Sequence, residues 1–146
     1  MRRYVLMISV AALLPVAHLG AGQESGGTIQ GKAEVVDGDS LRLGGVVVRL
    51  WGIDAIEKRN PLGKESTEVL REMIQGRPVQ CRQRDTDRHG RPVAKCFVEE
   101  TDLGAEMVRR GWAGAYIRFT KEYQQLEAAA RAACRGVWRA LRECAR

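Results

Sequence analysis

Two pairs of turn-forming residues divide the first apolar part of this chain into three short segments, and this spacing constrains the fold more than any other feature. Residues 33–36, 40–43 and 46–53 are rich in Val and Leu, and Asp37-Gly38 and Gly44-Gly45 separate them. Asp-Gly and Gly-Gly are strong signals of tight turns between antiparallel strands. The sequence therefore predicts a three-stranded β-meander.

The order of the remaining elements narrows the fold class. They are a helix, two strands and two helices, predicted over residues 64–75, 79–84, 92–98, 102–110 and 120–134. Gly76 follows the first helix, at the position where a residue in the left-handed conformation often ends a helix, and Thr120 can cap the N-terminus of the last helix. In an OB fold the fourth of five strands follows a helix. We therefore predict an α+β fold: a five-stranded OB-fold barrel with three α-helices.

The first 21 residues have the pattern of an export signal. A basic start at 1–3 precedes an uncharged run over 4–17, and small residues follow at 19–21. An uncleaved membrane anchor is the alternative, although Pro15 and His18 interrupt the run before the roughly 20 apolar residues that spanning requires. We expect export to the periplasm or medium without membrane attachment of the mature form. The predicted organisation is a signal peptide over 1–21, a flexible lead over 22–27 and one domain over 28–146.

The charge of the predicted mature part favours polyanions as partners. The whole chain carries a formal charge of +6, and loss of Arg2 and Arg3 lowers it by two, to +4. A basic surface attracts nucleic acid through long-range electrostatics and counterion release. Many basic exported domains bind no nucleic acid, so charge alone does not decide the function. No obligate protein partner is evident.

All four cysteines lie in the predicted mature part, and an even number in an exported chain predicts disulfides. A zinc site is the alternative, but the spacings of 15, 38 and 10 positions lack the usual close ligand pairs. Three pairings are possible. We predict Cys81–Cys96, on strands joined by one hairpin connection, and Cys134–Cys144, around a short turn after the last helix.

The scarcity of histidine limits the chemistry available. Because His18 falls in the predicted signal, His89 is the only histidine of the mature part, and no serine lies in a G-x-S-x-G context. A multi-histidine zinc centre is thereby excluded, and a Ser-His-Asp triad could use only His89. Any catalysis must rest on carboxylates and arginines.

Three groups of charged residues stand where strands are predicted to end: residues 37–40, 49–57 and 87–91. Arg49 interrupts an apolar strand, so it requires an anion or a wet cleft unless it faces solvent. Asp39, Asp54 and Glu57 supply hard oxygen ligands that suit Ca²⁺ or Mg²⁺, unless they are simply solvated loop acids. Asp37 and residues 87–91 are also compatible with an ordinary turn and a charged hairpin tip.

The spacing within the second group requires a break in the strand. Arg49 and Asp54 are five positions apart, so an ideal strand would direct them to opposite faces. They can converge only if the strand ends or kinks between them. Gly52 is the expected place.

Together these residues resemble the staphylococcal nuclease (thermonuclease) family over residues 28–141, nearly the whole predicted mature chain. The family pattern of D-G-D-[TS], R-L-x-G-I-D-x-x-E, D-x-x-G-R, G-x-A and G-x-W is met in order. Gly111-Trp112-Ala113 and Gly136-Val137-Trp138 supply its last two elements. The ordered set is far more specific than any single motif.

The resemblance implies a role for each matching residue. One Ca²⁺ would be held by Asp39, Asp54 and the backbone carbonyl of Ala55, with Asp37 supporting these ligands. Glu57 would be the general base, and Arg49 and Arg91 would bind the phosphate. The implied substrate contacts are Arg88, His89 and Tyr116.

The implied function is calcium-dependent hydrolysis of phosphodiester bonds in DNA, RNA or both, leaving 3′-phosphate ends. Two positions depart from the family pattern: Ile56 stands where the family usually has Pro, and His89 replaces a tyrosine. Two alternatives remain. One is a catalytically inactive OB module that binds nucleic acid or another polyanion, and the other is an exported interaction domain held together by disulfides.

Overall fold

The computed structural model describes residues 26–144. The predicted signal peptide over 1–21 and residues 22–25 of the predicted lead therefore lie outside the described residues. The first strand begins at Thr28, where the sequence predicted that structure would begin. None of the helices in the described range combines the length and the apolar character that a membrane span requires.

The structure contains eight strands and four helices within these residues. The strands are β1 (Thr28–Asp37), β2 (Ser40–Leu43), β3 (Val46–Leu50), β4 (Ile53–Asp54), β5 (Pro78–Thr86), β6 (Pro92–Val98), β7 (Thr101–Asp102) and β8 (Gly114–Ala115). The helices are α1 (Pro61–Ile74), α2 (Leu103–Arg109), α3 (Gln124–Ala132) and α4 (Val137–Ala140).

Five strands form a closed barrel, which confirms the predicted fold class. They follow the order β3-β2-β1-β5-β6, and parallel pairing of β3 with β6 closes the sheet. The three β-meander strands are joined by the predicted tight turns, with antiparallel registers such as Ala33 opposite Leu43. The short strands β4 and β8 pair with each other, and β7 pairs antiparallel with the end of β6.

The barrel interior and the inner faces of α1 and α2 form one apolar core. The largest fully buried side chains are mainly aliphatic and include Leu41, Leu43, Leu50, Ile53, Leu70, Leu103 and Met107. Full burial of such a side chain stabilises the fold by about 1.5 to 3 kcal/mol. A smaller cluster of Ala130, Val137 and Trp138 packs α3 and α4 onto the loop before α1.

The predicted kink at Gly52 is present. The third strand was expected over 46–53, but β3 ends at Leu50 and a turn precedes β4. Gly52 has φ 73°, and a Cβ there would lie 2.7 Å from Thr120 Cγ2. Both the left-handed backbone and the close contact require glycine.

The predicted helix starts were less accurate. The first helix begins at Pro61 rather than at residue 64, because Asn60 Oδ1 accepts a hydrogen bond from the backbone N–H of Leu62 (2.9 Å) and proline is favoured in the first turn. Thr120 was predicted to cap the last long helix, and this is wrong. Its hydroxyl accepts from the N–H of Glu122 in the preceding turn, and α3 begins at Gln124.

The structure contains both predicted disulfides, Cys81–Cys96 and Cys134–Cys144. Cys81 and Cys96 are direct partners in the ladder between β5 and β6. The second disulfide links the end of α3 to the segment after α4, a helix of four residues that the sequence analysis did not predict. It thereby fixes a short helix that has little stability of its own.

Candidate active site

A cleft of about 270 Å³ lies where the β1–β2 turn, the end of β3, the loop before α1 and the start of β6 meet. Seven of the ten predicted catalytic, metal-binding and substrate-binding residues line it: Asp37, Asp39, Arg49, Asp54, Ala55, Glu57 and Arg91. Residues from four separate parts of the chain thus converge on one concave surface. Convergence of polar groups in a cleft is the usual mark of a binding or catalytic site.

Asp39 is the most buried charged group of the cleft, with 6% of its surface exposed. Its Oδ1 accepts from the Ser40 hydroxyl at 2.9 Å, and its Oδ2 accepts from the backbone N–H of Ala55 at 3.2 Å. Asp37 Oδ1 accepts from the N–H of Asp39 at 3.2 Å, which fixes the turn. The turn also needs Gly38, because a Cβ there would lie 2.1 Å from Ser66 Oγ on α1.

Arg49 forms ion pairs with two carboxylates, Asp39 and Asp54, and so meets Asp54 across the turn at Gly52. Its Nη2 lies 2.7 Å from Asp54 Oδ1 and 3.2 Å from Asp39 Oδ2. Both oxygens therefore contact one nitrogen, and they are separated by less than the sum of these distances. The turn at Gly52 makes this possible by bringing Asp54 back to the face on which Arg49 lies.

Burial raises the pKa of Asp39 to about 6, and the nearby charge of Asp37 acts in the same direction. Arg49 opposes this rise, as do the hydrogen bonds from Ser40 and Ala55, but only in part. The carboxylate is therefore short of positive charge. An additional cation beside it would stabilise its ionised form.

Arg91 is held at the edge of the cleft by Asp87. Its Nε donates to Asp87 Oδ2 at 2.7 Å, and its backbone N–H donates to Asp87 Oδ1 at 3.0 Å. Burial of Asp87 acts to raise its pKa, but these bonds and one from the His89 N–H outweigh it and hold the pKa at about 2. Asp87 thus stays ionised and orients the guanidinium, with its two Nη groups left for an anion.

Glu57 is exposed and projects from a loop whose backbone is fixed. Its carbonyl accepts from the N–H of Asn60 at 2.9 Å, and Gly63 of α1 packs directly against the same carbonyl. Ile56, next to Glu57, packs against the Ala130, Val137 and Trp138 cluster. Apolar packing thus anchors the loop at Ile56, the position at which the sequence departs from the family pattern that it resembles.

We expect Gly63→Ala to destabilise the fold and to displace Glu57. A Cβ at Gly63 would lie 2.1 Å from the Glu57 carbonyl oxygen, so the backbone must move. Overpacking of this kind costs about 1 to 3 kcal/mol. The matched control is Gly104→Ala in α2, where the nearest atoms would be at 3.4 Å. There the helix gains up to about 1 kcal/mol from alanine. Urea unfolding of both variants measures the difference, and equal stabilities would contradict it.

The donor set fits a hard divalent cation held weakly. Asp39 and Asp54 present carboxylate oxygens close to each other and to Ala55, which matches the oxygen ligands that Ca²⁺ prefers. Between residues 26 and 144, however, no group of three or more His, Cys, Asp or Glu side chains is arranged to hold a metal ion. An ion here would need water or substrate oxygens for most of its coordination.

Three predicted substrate contacts lie outside the cleft lining. Arg88 and His89 are exposed at the tip of the β5–β6 connection, where Arg88 Nε donates to His89 Nε2 at 3.1 Å. Tyr116 lies after β8, and its ring is 5.1 Å from that of Phe119. Its backbone N–H donates to the carbonyl of Gly52 at 2.8 Å. Tyr116 is therefore tied to the kink beside the cleft rather than to the cleft itself.

Sequence reasoning missed the residues that hold the others in place. Ser40 and Asp87 both stood inside motifs that the sequence analysis named, but neither received a function. Gly63 and Ser66 fix the approach of α1 to the cleft loops, and Ser66 Oγ also donates to the carbonyl of Trp112 at 2.8 Å. No local pattern marks these two, because their role depends on which loops the helix meets.

Comparison with known proteins gives one family match. Residues 47–140 match the model of the family described as "Staphylococcal nuclease homologue". The chain is 32% identical to "Protein ParB" of Escherichia coli over 94% of this chain and 86% of that protein. It is 34% identical to "Probable staphylococcal-like nuclease CAN1" of Oryza sativa subsp. japonica over 65% of this chain. It is 28% identical to an "Uncharacterized endonuclease" of Haemophilus influenzae over 71% of this chain.

Several of these relatives are longer than this chain. The match covers 29% of the rice protein and 61% of the Haemophilus influenzae protein. The family match over residues 47–140 takes in β3 to β8 and all four helices, and it begins after β1 and β2.

Proposed function

The chain belongs to the family of staphylococcal nuclease homologues, and we propose on this basis that it is a calcium-dependent nuclease that hydrolyses phosphodiester bonds in DNA, RNA or both. The observation that carries the proposal is the content of the cleft. Asp39, Arg49, Asp54, Glu57 and Arg91 line one space of about 270 Å³. Asp37 lines it as well, and a structural role alone would not need four carboxylates and two arginines facing the same cavity.

In the proposed reaction the arginines bind the scissile phosphate. Arg91 offers two Nη groups, and its Nε is already fixed by Asp87. Arg49 lies on β3, which pairs with β6, and Arg91 directly precedes β6. Two guanidinium groups match the charge that gathers on the equatorial oxygens during in-line displacement at phosphorus.

Glu57 accepts the proton of the attacking water. Its carboxylate is exposed, and no hydrogen bond to it is present among residues 26–144, so its lone pairs are available. Attack by the oriented water forms the new P–O bond, and the 5′ oxygen leaves with the bonding pair and takes up a proton. The products carry a 3′-phosphate and a 5′-hydroxyl end.

Asp39, Asp54 and the Ala55 carbonyl would hold the calcium ion. When bound, Ca²⁺ would draw charge from a nonbridging phosphate oxygen and so lower the barrier to attack. The ion would also supply the positive charge that the buried Asp39 lacks. Arg49 competes for the same two carboxylates, and release of its guanidinium would free it for the phosphate.

We expect Ca²⁺ to bind the free protein weakly, with a Kd on the order of 10⁻⁴ to 10⁻³ M, as in other sites that water completes. Two carboxylates and one carbonyl leave several positions open, and the Arg49 guanidinium already pairs with both acids and would have to be displaced. Isothermal titration calorimetry with the full chain measures this affinity. Submicromolar binding would mean that further ligands exist and that the site is wrongly assigned.

A second candidate function is an inactive OB module that binds nucleic acid. The observation in its favour is the network of Arg49 with Asp39 and Asp54, which pairs the two proposed metal ligands with a guanidinium without any metal. Cleavage assays distinguish the two functions, because only the nuclease converts bound substrate to product.

We also propose that the protein is exported and acts in the periplasm or medium. Disulfides such as Cys81–Cys96 persist in oxidising compartments and are rare in the cytosol. Fractionation of cells that express the whole chain, with N-terminal sequencing of the product, tests export and cleavage near residue 21.

A further inference from the structure

A second concave surface of about 570 Å³ lies between α1, the turn after α2 and the turn between α3 and α4. Three arginines line it, Arg110, Arg135 and Arg139, together with the half-buried Trp112. The lining contains a single acidic residue, Glu65. We call this surface the arginine pocket. The proposed chemistry at the cleft uses none of these residues.

The fold holds two distant parts of the chain together at this pocket. The backbone N–H of Val137 donates to the Gly111 carbonyl at 2.9 Å. A Cβ at Gly136 would lie 2.3 Å from that carbonyl oxygen, and one at Gly111 would lie 2.4 Å from the carbonyl oxygen of Arg135. The two turns therefore pack backbone against backbone, which fixes Arg110 and Arg135 beside each other.

Two of the three arginines, Arg135 and Arg139, are anchored without being neutralised. Arg135 Nη1 donates to the Arg109 carbonyl at 3.1 Å, and Arg139 Nε donates to the Cys134 carbonyl at 3.2 Å. Within the described part of the chain neither has a carboxylate within ion-pair distance, whereas Arg110 pairs with Glu106 at 2.8 Å. Each anchored guanidinium keeps donors for another acceptor. Like charges held together repel each other, so the pocket suits an anion.

Lining residues of the arginine pocket and of the catalytic cleft pack on one common apolar wall, the Ala130, Val137 and Trp138 cluster. Ile56 lines the cleft and packs on the Ala130, Val137 and Trp138 cluster. Leu62 and Trp112 pack on the same cluster and line the arginine pocket. A chain that crosses this wall would reach from one site into the other.

We propose that the arginine pocket binds backbone phosphates of the single-stranded nucleic acid that occupies the cleft, a few nucleotides from the scissile bond. This rests on the proposed function for the occupant of the cleft. A basic groove with an aromatic side chain is the usual form of a single-strand site, and OB folds cover roughly 4 to 16 nucleotides. Arg135 and Arg139 supply forked donors for phosphate, and Trp112 offers a ring for an unstacked base.

The test is the salt dependence of binding to a single-stranded oligonucleotide of about 20 nucleotides, longer than one OB-fold site. Binding of the full chain is measured in chelator, so that no substrate is cut. For single strands the slope of log K against log salt changes by about 0.7 for each phosphate contact. We expect the double variant Arg135→Gln/Arg139→Gln to reduce the magnitude of the slope by about 1.4.

The matched control is Arg42→Gln/Arg71→Gln, which removes the same charge from arginines that lie outside both the cleft and the arginine pocket. It is expected to keep the wild-type slope. An unchanged slope in the Arg135/Arg139 variant, or an equal loss in the control, would overturn the proposal. Circular dichroism checks the fold, and Arg139→Glu alone serves as a second variant, expected to weaken binding more than Arg42→Glu.

Failure of this proposal is distinguishable from failure of the proposed function. Cleavage by the wild type is measured separately with Ca²⁺. If the wild type cuts nucleic acid and the Arg135→Gln/Arg139→Gln variant keeps the wild-type salt slope, only the proposal for the arginine pocket is overturned. A slope that falls as expected, in a wild type that never cuts, supports the pocket and overturns the nuclease.

Discussion

Glu57→Gln is expected to lower calcium-dependent cleavage by about 10² to 10⁴, the usual contribution of a general base. Glutamine keeps the size of the side chain but cannot accept the proton of the attacking water. The fold should be unaffected, because Glu57 is exposed and its loop is held through its backbone and through Ile56. Initial rates on single-stranded DNA and on RNA measure the loss.

The control for this variant is Glu72→Gln, which changes an exposed carboxylate on α1 that does not line the cleft. It is expected to cleave at the wild-type rate. Nucleic-acid binding by Glu57→Gln, measured in chelator, should stay close to that of the wild type. If Glu57→Gln cuts as fast as the wild type, Glu57 is not the base.

Arg91→Lys should lose much more rate than affinity. A lysine keeps the positive charge, but it cannot bind Asp87 and at the same time present two further donors to the phosphate. Removal of one such donor from a transition-state site costs about 10² to 10³ in rate, or about 3 to 4 kcal/mol. Arg91 is a cleaner test than Arg49, whose loss would leave the buried Asp39 without its ion pair.

The matched variant is Arg82→Lys, an exposed arginine on β5 that stacks over Phe97 and does not line the cleft. It is expected to keep the wild-type kcat. Steady-state kinetics on a defined oligonucleotide separate kcat from KM for both variants. Near-full turnover by Arg91→Lys would mean that Arg91 has no catalytic role and is only a charged residue at a hairpin tip.

The barrel could be predicted because its signals are local. Asp37-Gly38 and Gly44-Gly45 each fix one turn, and the residues between them have the composition of strands. The break at Gly52 was also predictable, since Arg49 and Asp54 could share a face only if the strand bent between them. The helix starts were harder. Thr120 is a good capping residue by type, but its hydroxyl bonds within the preceding turn.

The charged residues of the site could be predicted from the sequence, but the contacts that hold them in position could not. Asp39, Arg49 and Glu57 stand in motifs with fixed spacing, and their placement in one cleft agrees with this, although their roles stay predictions. The contact of Gly63 with the Glu57 carbonyl could not be predicted, because it depends on how α1 packs on the barrel. The same holds for the arginine pocket, whose parts are separated in sequence and meet only through two glycine turns.

The most direct test of the central claim is a cleavage assay of the purified protein, without the predicted signal peptide over 1–21, on plasmid DNA and on RNA, with Ca²⁺, with Mg²⁺ and with chelator. If the protein is the proposed nuclease, Ca²⁺ supports cleavage, chelator abolishes it, and the product ends carry a 3′-phosphate. Binding of nucleic acid without cleavage in all three conditions would contradict this claim and would establish the inactive OB module instead.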